Sequence, residues 1–111
     1  IWYAGAVVVP VYETSSTEQI DWILTDSSAV AIIVETPTHK EAVESVSKPT
    51  LKNIWTMTDN VLAQLAKLGE NVADAEIDVR RNALTPETLA TLIYTSGTTG
   101  NPKGVLLSLR L

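Results

Sequence analysis

Apolar and polar positions along this chain fall into short blocks whose period changes repeatedly, and each block predicts an element. Ile1, Trp2 and Ala4 read as the tail of a helix that stops at Gly5, a usual helix-ending residue. Residues 6–11 form a short apolar run with a proline near its end, the pattern of a strand buried on both faces. Ser16 and Gln19 have the spacing of a capping box, with Glu18 at the positive end of the helix they open. Ile20, Ile23 and Leu24 then recur at helical spacing and face inward. Residues 29–34 predict a second buried strand. Thr38 and Glu41 form another capping box ahead of Ala42, Val43 and Val46. A shorter strand is expected over 53–57, followed by a helix capped by Asp59 that carries Val61, Leu62, Leu65 and Leu68 and stops at Gly69.

Residues 70–84 are polar and mixed in charge, a linker-like stretch in which Asp74 can cap a short helix running to Arg81. Thr85-Pro86-Glu87 is a helical turn with proline in its favoured first position. Strands are expected over 91–95 and 103–107. The repeated β-α-β order places the chain in the α/β class, with a mostly parallel sheet, right-handed crossovers and helices on both faces. In such sheets ligands sit beyond the carboxyl ends of strands. The segment after Tyr94 lies at such an end.

That segment carries the chemistry. The apolar run Leu92-Ile93-Tyr94 stops at Thr95-Ser96-Gly97-Thr98-Thr99-Gly100, and Asn101-Pro102 leads to Lys103. Gly97 and Gly100 let the backbone turn through positive φ and come close to a ligand. Successive N–H groups in such a turn form a concave nest for anions. Thr95, Ser96, Thr98 and Thr99 add hydroxyl donors, and Lys103 adds a compact positive charge. A nucleotide triphosphate satisfies all of these groups. Two other readings compete. Gly, Ser, Thr, Asn and Pro are also ordinary turn residues, so the tract could simply join two strands. A Walker A loop is excluded, because Pro102 stands five places after Gly97 and Gly104 follows Lys103.

Tyr94-Thr95-Ser96-Gly97-Thr98-Thr99-Gly100-Asn101-Pro102-Lys103-Gly104 resembles the signature loop of the adenylate-forming (AMP-binding) enzymes, which include acyl-CoA synthetases, luciferases and the adenylation domains of peptide synthetases. The segment 4–20, with Pro10-Val11-Tyr12-Glu13-Thr14-Ser15-Ser16 at its centre, is similar to the corresponding part of long-chain fatty acid–CoA ligases. The resemblance implies a partial AMP-binding domain over 1–111 within the large N-terminal domain of such an enzyme, with residues 94–104 as its phosphate-binding loop. It implies ATP, with Mg2+, and CoA as cofactor and substrates, and a fatty acid as the group activated. A carboxylate attacks the α-phosphorus of ATP to give an acyl-adenylate and pyrophosphate, and the CoA thiol then takes the acyl group. Thr95, Ser96, Gly97, Thr98, Thr99, Gly100 and Lys103 are the expected ATP contacts, with Lys103 also the catalytic residue. Fixed donors at the developing charge need no reorganisation during the reaction, which suits a loop of N–H and O–H groups with one lysine.

The family pattern continues past Val105-Leu106-Leu107-Ser108 to a histidine, where this chain has Leu109. Segments the family uses for adenine, for ribose and for its catalytic C-terminal domain do not occur here. The chain therefore reads as an internal piece of a larger protein, inactive alone, whose uncovered sheet faces favour self-association. Two further functions stay open: an adenylation domain that loads a carrier-protein thiol, and a non-catalytic domain that binds a nucleotide or a partner.

Composition removes other classes. With 111 residues the chain is one domain at most, and its 45% hydrophobic content suits a globular core. A formal charge of −5 argues against nucleic acid, which needs clustered Lys and Arg. No stretch reaches the roughly 18 apolar residues of a membrane span, no secretory signal is visible, and a cytoplasmic setting is expected. The absence of cysteine excludes disulfides, thiol nucleophiles and Cys-based metal sites, and no metal ligands are assigned. His39, Glu41, Glu44, Asp74, Glu76 and Asp78 read as solvated residues, and Tyr94 as core. Asn101 and Pro102 read as geometric. Trp22 lies off the inward stripe of its helix and is expected to pack against a portion of a larger protein absent from this chain.

Overall fold

In the computed structural model, which describes residues 1–47, 49–97 and 100–110, Ser16 opens helix α1 (Thr17–Ser27) through the capping box that its spacing predicts. The Ser16 hydroxyl accepts the Gln19 N–H at 3.3 Å, and the Ser16 N–H donates to Gln19 Oε1 at 3.0 Å. Two orphan backbone donors are thereby satisfied at once. The helix ends where Ser28 turns left-handed, at φ 53°. Ile20, Ile23 and Leu24 are buried, as their spacing requires.

A β-α-β unit follows. Strand β1 (Ala31–Val34) pairs in parallel with β2 (Asn53–Thr56), Ala31 facing Asn53 and Val34 facing Thr56. Between them runs helix α2 (Pro37–Glu44). Its cap is Thr36, not Thr38: the Thr36 side chain accepts the His39 N–H at 3.3 Å. Pro37 decides this. Its preset φ and missing N–H suit the first helical position, so the cap falls on the residue before it. Ile20, Leu24, Val34 and Val43 form the buried core, with Ile32, Leu51 and Ile54 packed against it. Helices α1 and α2 thus meet the parallel strands through one apolar cluster.

Two 3₁₀ turns, Trp2–Ala4 and Met57–Asp59, replace expected helical ends. Gly5 closes the first at φ 74°, a left-handed conformation that favours glycine. Helix α3 (Val61–Gly69) is capped by a left-handed Asn60, with no side-chain bond, instead of by Asp59. Asp59 is taken up in the 3₁₀ turn, and its carbonyl accepts from the Gln64 amide at 2.6 Å. Val61 is buried, but Leu62 and Leu68 are 78% and 67% exposed, so most of the apolar stripe of α3 faces outward. The linker-like stretch 70–84 contains helix α4 (Asp74–Asn82), capped at Ala73 with Asp74 inside its first turn. Ion pairs Glu76–Arg80 at 3.0 Å and Asp78–Arg81 at 2.9 Å run along it. Arg80 also reaches the Ala4 carbonyl at 3.4 Å, which sets α4 beside the first 3₁₀ turn.

Strand β3 (Leu89–Thr95) and strand β4 (Lys103–Ser108) complete the chain as an antiparallel pair. The α/β class and the parallel β1–β2 unit stand, but the strand leaving the loop returns along its predecessor. The sheet expected over 6–11 contracts to a parallel bridge between Val8 and Thr91, with the Val8 N–H donating to Ala90 O and the Leu92 N–H to Val8 O, each at 3.0 Å. Pro10 lacks the donor a longer ladder needs, and the Gly5 turn ends the run on its other side. Among the described residues, no helix is long and apolar enough to cross a membrane.

Leu24 is 3% exposed in the centre of the core. Truncating Leu24→Ala leaves a cavity between α1 and the parallel strands and is expected to cost about 2–5 kcal/mol. The denaturation midpoint of the variant measures it, and an unchanged midpoint would place the core elsewhere.

Candidate functional site

The tract 94–104 lies between two paired strands. Tyr94 and Thr95 end β3, and Lys103 and Gly104 begin β4. In register, Thr95 faces Lys103 and Tyr94 faces Gly104. The hairpin therefore brings the first hydroxyl of the tract beside its lysine. Gly100 adopts φ 81°, the left-handed turn that its lack of a Cβ permits. Thr95, Ser96, Gly97 and Gly100 are exposed, as is Lys103. The Lys103 ammonium has no hydrogen-bond or ion-pair partner among the described residues. Thr98 and Thr99 lie outside the described residues, as does Leu111.

A cavity of about 190 Å³ opens between the loop and the first turn of α1. Ser96, Gly97, Gly100, Asn101 and Pro102 line one side, and Glu18 and Gln19 the other. Helix starts carry partial positive charge, which favours an anion there. Glu18 offsets that field with its own negative charge. Its backbone N–H and then the Ser16 hydroxyl hold its carboxyl below the usual value, so it stays ionised. Lys103 is the cation of the loop.

Two residues tie this loop to α1, and their partners were not legible in the sequence. The Trp22 indole N–H donates to the Pro102 carbonyl at 2.8 Å. The Tyr94 hydroxyl donates to Asp26 Oδ2 at 2.7 Å. Trp22 lies off the inward stripe of α1 as expected, but it docks on the loop of this same chain and not on a portion absent from it. Tyr94 is buried at 8% exposure, as a core strand residue should be, yet its polar tip is used. Its ring also backs onto Gly104, where an added Cβ would stand 3.2 Å from Cζ. A side chain at Gly104 would push the strands apart. Pro102 lends its carbonyl to Trp22, and Asn101 lines the cavity.

Of the residues read as bland, His39 is structural: its Nδ1 lies 3.1 Å from the Thr36 hydroxyl at the start of α2. Leu109, which stands where the resemblance expects histidine, sits at the opposite end of the hairpin from the loop. Its N–H donates to Thr88 O at 2.9 Å, roughly 20 Å of strand from Lys103. Among the described residues, no three His, Cys, Asp or Glu gather closely enough to hold a metal ion.

Known proteins resemble this chain over almost its whole length. The family model described as AMP-binding enzyme matches residues 1–110. The chain is 46% identical over 109 residues to the long-chain-fatty-acid–CoA ligase FadD15 of Mycobacterium tuberculosis, covering 94% of this chain and 18% of that protein. It is 35% identical over 117 residues to the long-chain-fatty-acid–CoA ligase ACSBG1 of Bos taurus, covering 96% of this chain and 16% of the relative. Among solved structures, VinN in complex with L-aspartate superposes with a TM-score of 0.67 at 26% identity, over 94% of this chain and 25% of VinN. The chain thus spans under a fifth of the length of the curated relatives it matches.

Tyr94 offers a direct check on the site. Burial first, then the hydrogen bond to Asp26 and the charge of Asp26, push its hydroxyl from 10.0 up to about 12. A raised folded-state value favours the protonated form, so this stabilisation is complete below about pH 10 and fades as pH rises through about 12. In an ultraviolet titration Tyr94→Phe should delete an ionisation step near pH 12. A titration that Tyr94→Phe leaves unchanged in that range would contradict the placement.

Proposed function

The chain belongs to the AMP-binding enzyme family, and on that premise we propose that it supplies the ATP-phosphate site of an AMP-forming long-chain fatty acid–CoA ligase. The single observation that carries this reading is the hairpin that sets Thr95 opposite Lys103 and holds between them a glycine-hinged tract of hydroxyls. Similarity to FadD15 and ACSBG1 supports the choice of substrate class. In this reading residues 1–111 are part of an adenylation domain and residues 94–104 its phosphate-binding loop. Thr95, Ser96, Gly97, Thr98, Thr99, Gly100 and Lys103 contact ATP.

The chemistry follows from where charge develops. A fatty acid carboxylate oxygen bonds to the α-phosphorus, and the bond from that phosphorus to the bridging oxygen breaks. Pyrophosphate leaves with the electron pair. The sulfur of CoA then bonds to the acyl carbon and AMP departs. Loop N–H and O–H groups meet the charge on the departing pyrophosphate, and Lys103 supplies the cation beside it. Each charge-assisted bond contributes about 1.5–3 kcal/mol, and loop ordering offsets part of this. Because they are fixed before reaction, these donors stabilise the transition state without moving. Among the described residues no three His, Cys, Asp or Glu stand together to hold Mg2+ by themselves.

Lys103→Ala, made in the longer protein, is expected to lower adenylation by roughly 10²–10³, the scale of one lost transition-state donor. ATP–pyrophosphate exchange measures it, and exchange at the wild-type rate would refute the role of Lys103. The chain taken alone has no acyl or adenine site assigned to it and exposes Leu62, Leu68 and Leu106. It is expected to form no acyl-CoA and to self-associate. Sedimentation of a monodisperse monomer would argue against the second expectation, and acyl-CoA formation against the first.

A further inference from the structure

Helix α1 reaches the phosphate loop twice from one side. Trp22 and Asp26 are separated by one helical turn, so their side chains emerge on the same face. Trp22 holds the Pro102 carbonyl at 2.8 Å, and Asp26 holds the Tyr94 hydroxyl at 2.7 Å. Pro102 is the last residue before β4, and Tyr94 the last but one of β3. The two bonds therefore grip the loop at both of its ends.

Their common target is the residue between them. The Pro102 carbonyl and the Lys103 N–H belong to one planar peptide. Fixing that carbonyl fixes the plane from which Lys103 departs. On its other side Lys103 is followed by Gly104, which has the Tyr94 ring against it at 3.2 Å from an added Cβ. Tyr94 is in turn held by Asp26. Lys103 is thus bracketed by two residues whose positions α1 sets. The opposite attachments of α1, Ile20 and Leu24, lie in the buried core with Val34 and Val43. The helix transmits the rigidity of that core to an exposed lysine on a hairpin.

We propose that Trp22 and Asp26 are positioning residues that orient Lys103 and the loop for the phosphates of ATP. The inference rests on the phosphate-binding reading of the loop. Neither residue needs to touch ATP. An indole is a stiff lever with a fixed donor, so its N–H can hold a backbone plane at little entropic cost. A phenylalanine there keeps the bulk and loses the grip.

The test uses the intact enzyme with ATP and a fatty acid. Trp22→Phe is expected to raise the KM for ATP roughly fivefold, the worth of about one hydrogen bond. The KM for the fatty acid should stay at its wild-type value. A general loss of folded enzyme gives another signature: kcat falls while both KM values hold. Asp26→Ala should raise the KM for ATP in the same way, and Asp26→Asn, which keeps an acceptor for Tyr94, should recover most of that loss. If Trp22→Phe fails to fold, Tyr94→Phe removes only the hydroxyl on the hairpin and must show the same shift. A folded Trp22→Phe or Tyr94→Phe with wild-type KM for ATP overturns the inference, as does an Asn variant no better than Ala. Wild-type enzyme that shows no ATP binding by equilibrium dialysis sinks the loop assignment itself, and the inference with it. ATP binding in the wild type with an unmoved KM in the variants sinks the inference alone.

Discussion

The pairing of Thr95 with Lys103 is the constraint on which the rest of the site depends. A tract rich in glycine and hydroxyls has little reason to hold one shape, because its backbone is permissive and its side chains bond as readily to water as to each other. Closing it between two antiparallel strands removes most of that freedom before any ligand arrives. The ladder from Leu89 to Ser108 pairs the strands on either side of the tract. A hydroxyl and a lysine then stand together at its mouth. Preorganisation of this kind is what allows fixed dipoles to act on developing charge.

A hairpin alone would still swing. Its attachments to the rest of the chain include the Val8 bridge, the Trp2 indole bonded to Ala90 O at 3.0 Å, and the two bonds from α1. The first two hold its body and the last two hold its tip. Helix α1 is suited to this because it is well started by its capping box and well buried on one face. Local capping, core packing and loop position thus form one chain of cause. The other apolar surfaces do not join it: α3 turns Leu62 and Leu68 outward, and β4 exposes Val105, Leu106 and Leu107. Faces of that kind ordinarily meet further protein.

The match with much longer relatives concerns under a fifth of their length. The family model over residues 1–110 assigns the family, while the chain covers 18% of FadD15. The likeness to VinN, at 26% identity, concerns the fold. Leu109, the departure from the family pattern, bonds to Thr88 at the far end of the hairpin from the loop.

Local physics was legible in the residues themselves. The Ser16–Gln19 capping box, the inward stripe Ile20, Ile23 and Leu24, the strands near 31–34 and 53–56, and the hydroxyl-glycine tract ending at Lys103 all follow from neighbours within a turn or a strand. Thr36 rather than Thr38 at the start of α2 was a near miss of the same local kind, decided by Pro37. What remained hidden depends on partners far along the chain. Trp22 and Pro102 are 80 residues apart, and Tyr94 and Asp26 are 68 apart. No periodicity records such a pair, because a hydrogen bond across that distance exists only once two elements have packed. For the same reason the antiparallel return of β4 and the outward face of α3 belong to the tertiary structure. The sequence by itself determined the order of hydroxyls, glycines and lysine in the tract; the packing of α1 against the hairpin decided how its two ends are held, because those bonds join residues far apart along the chain.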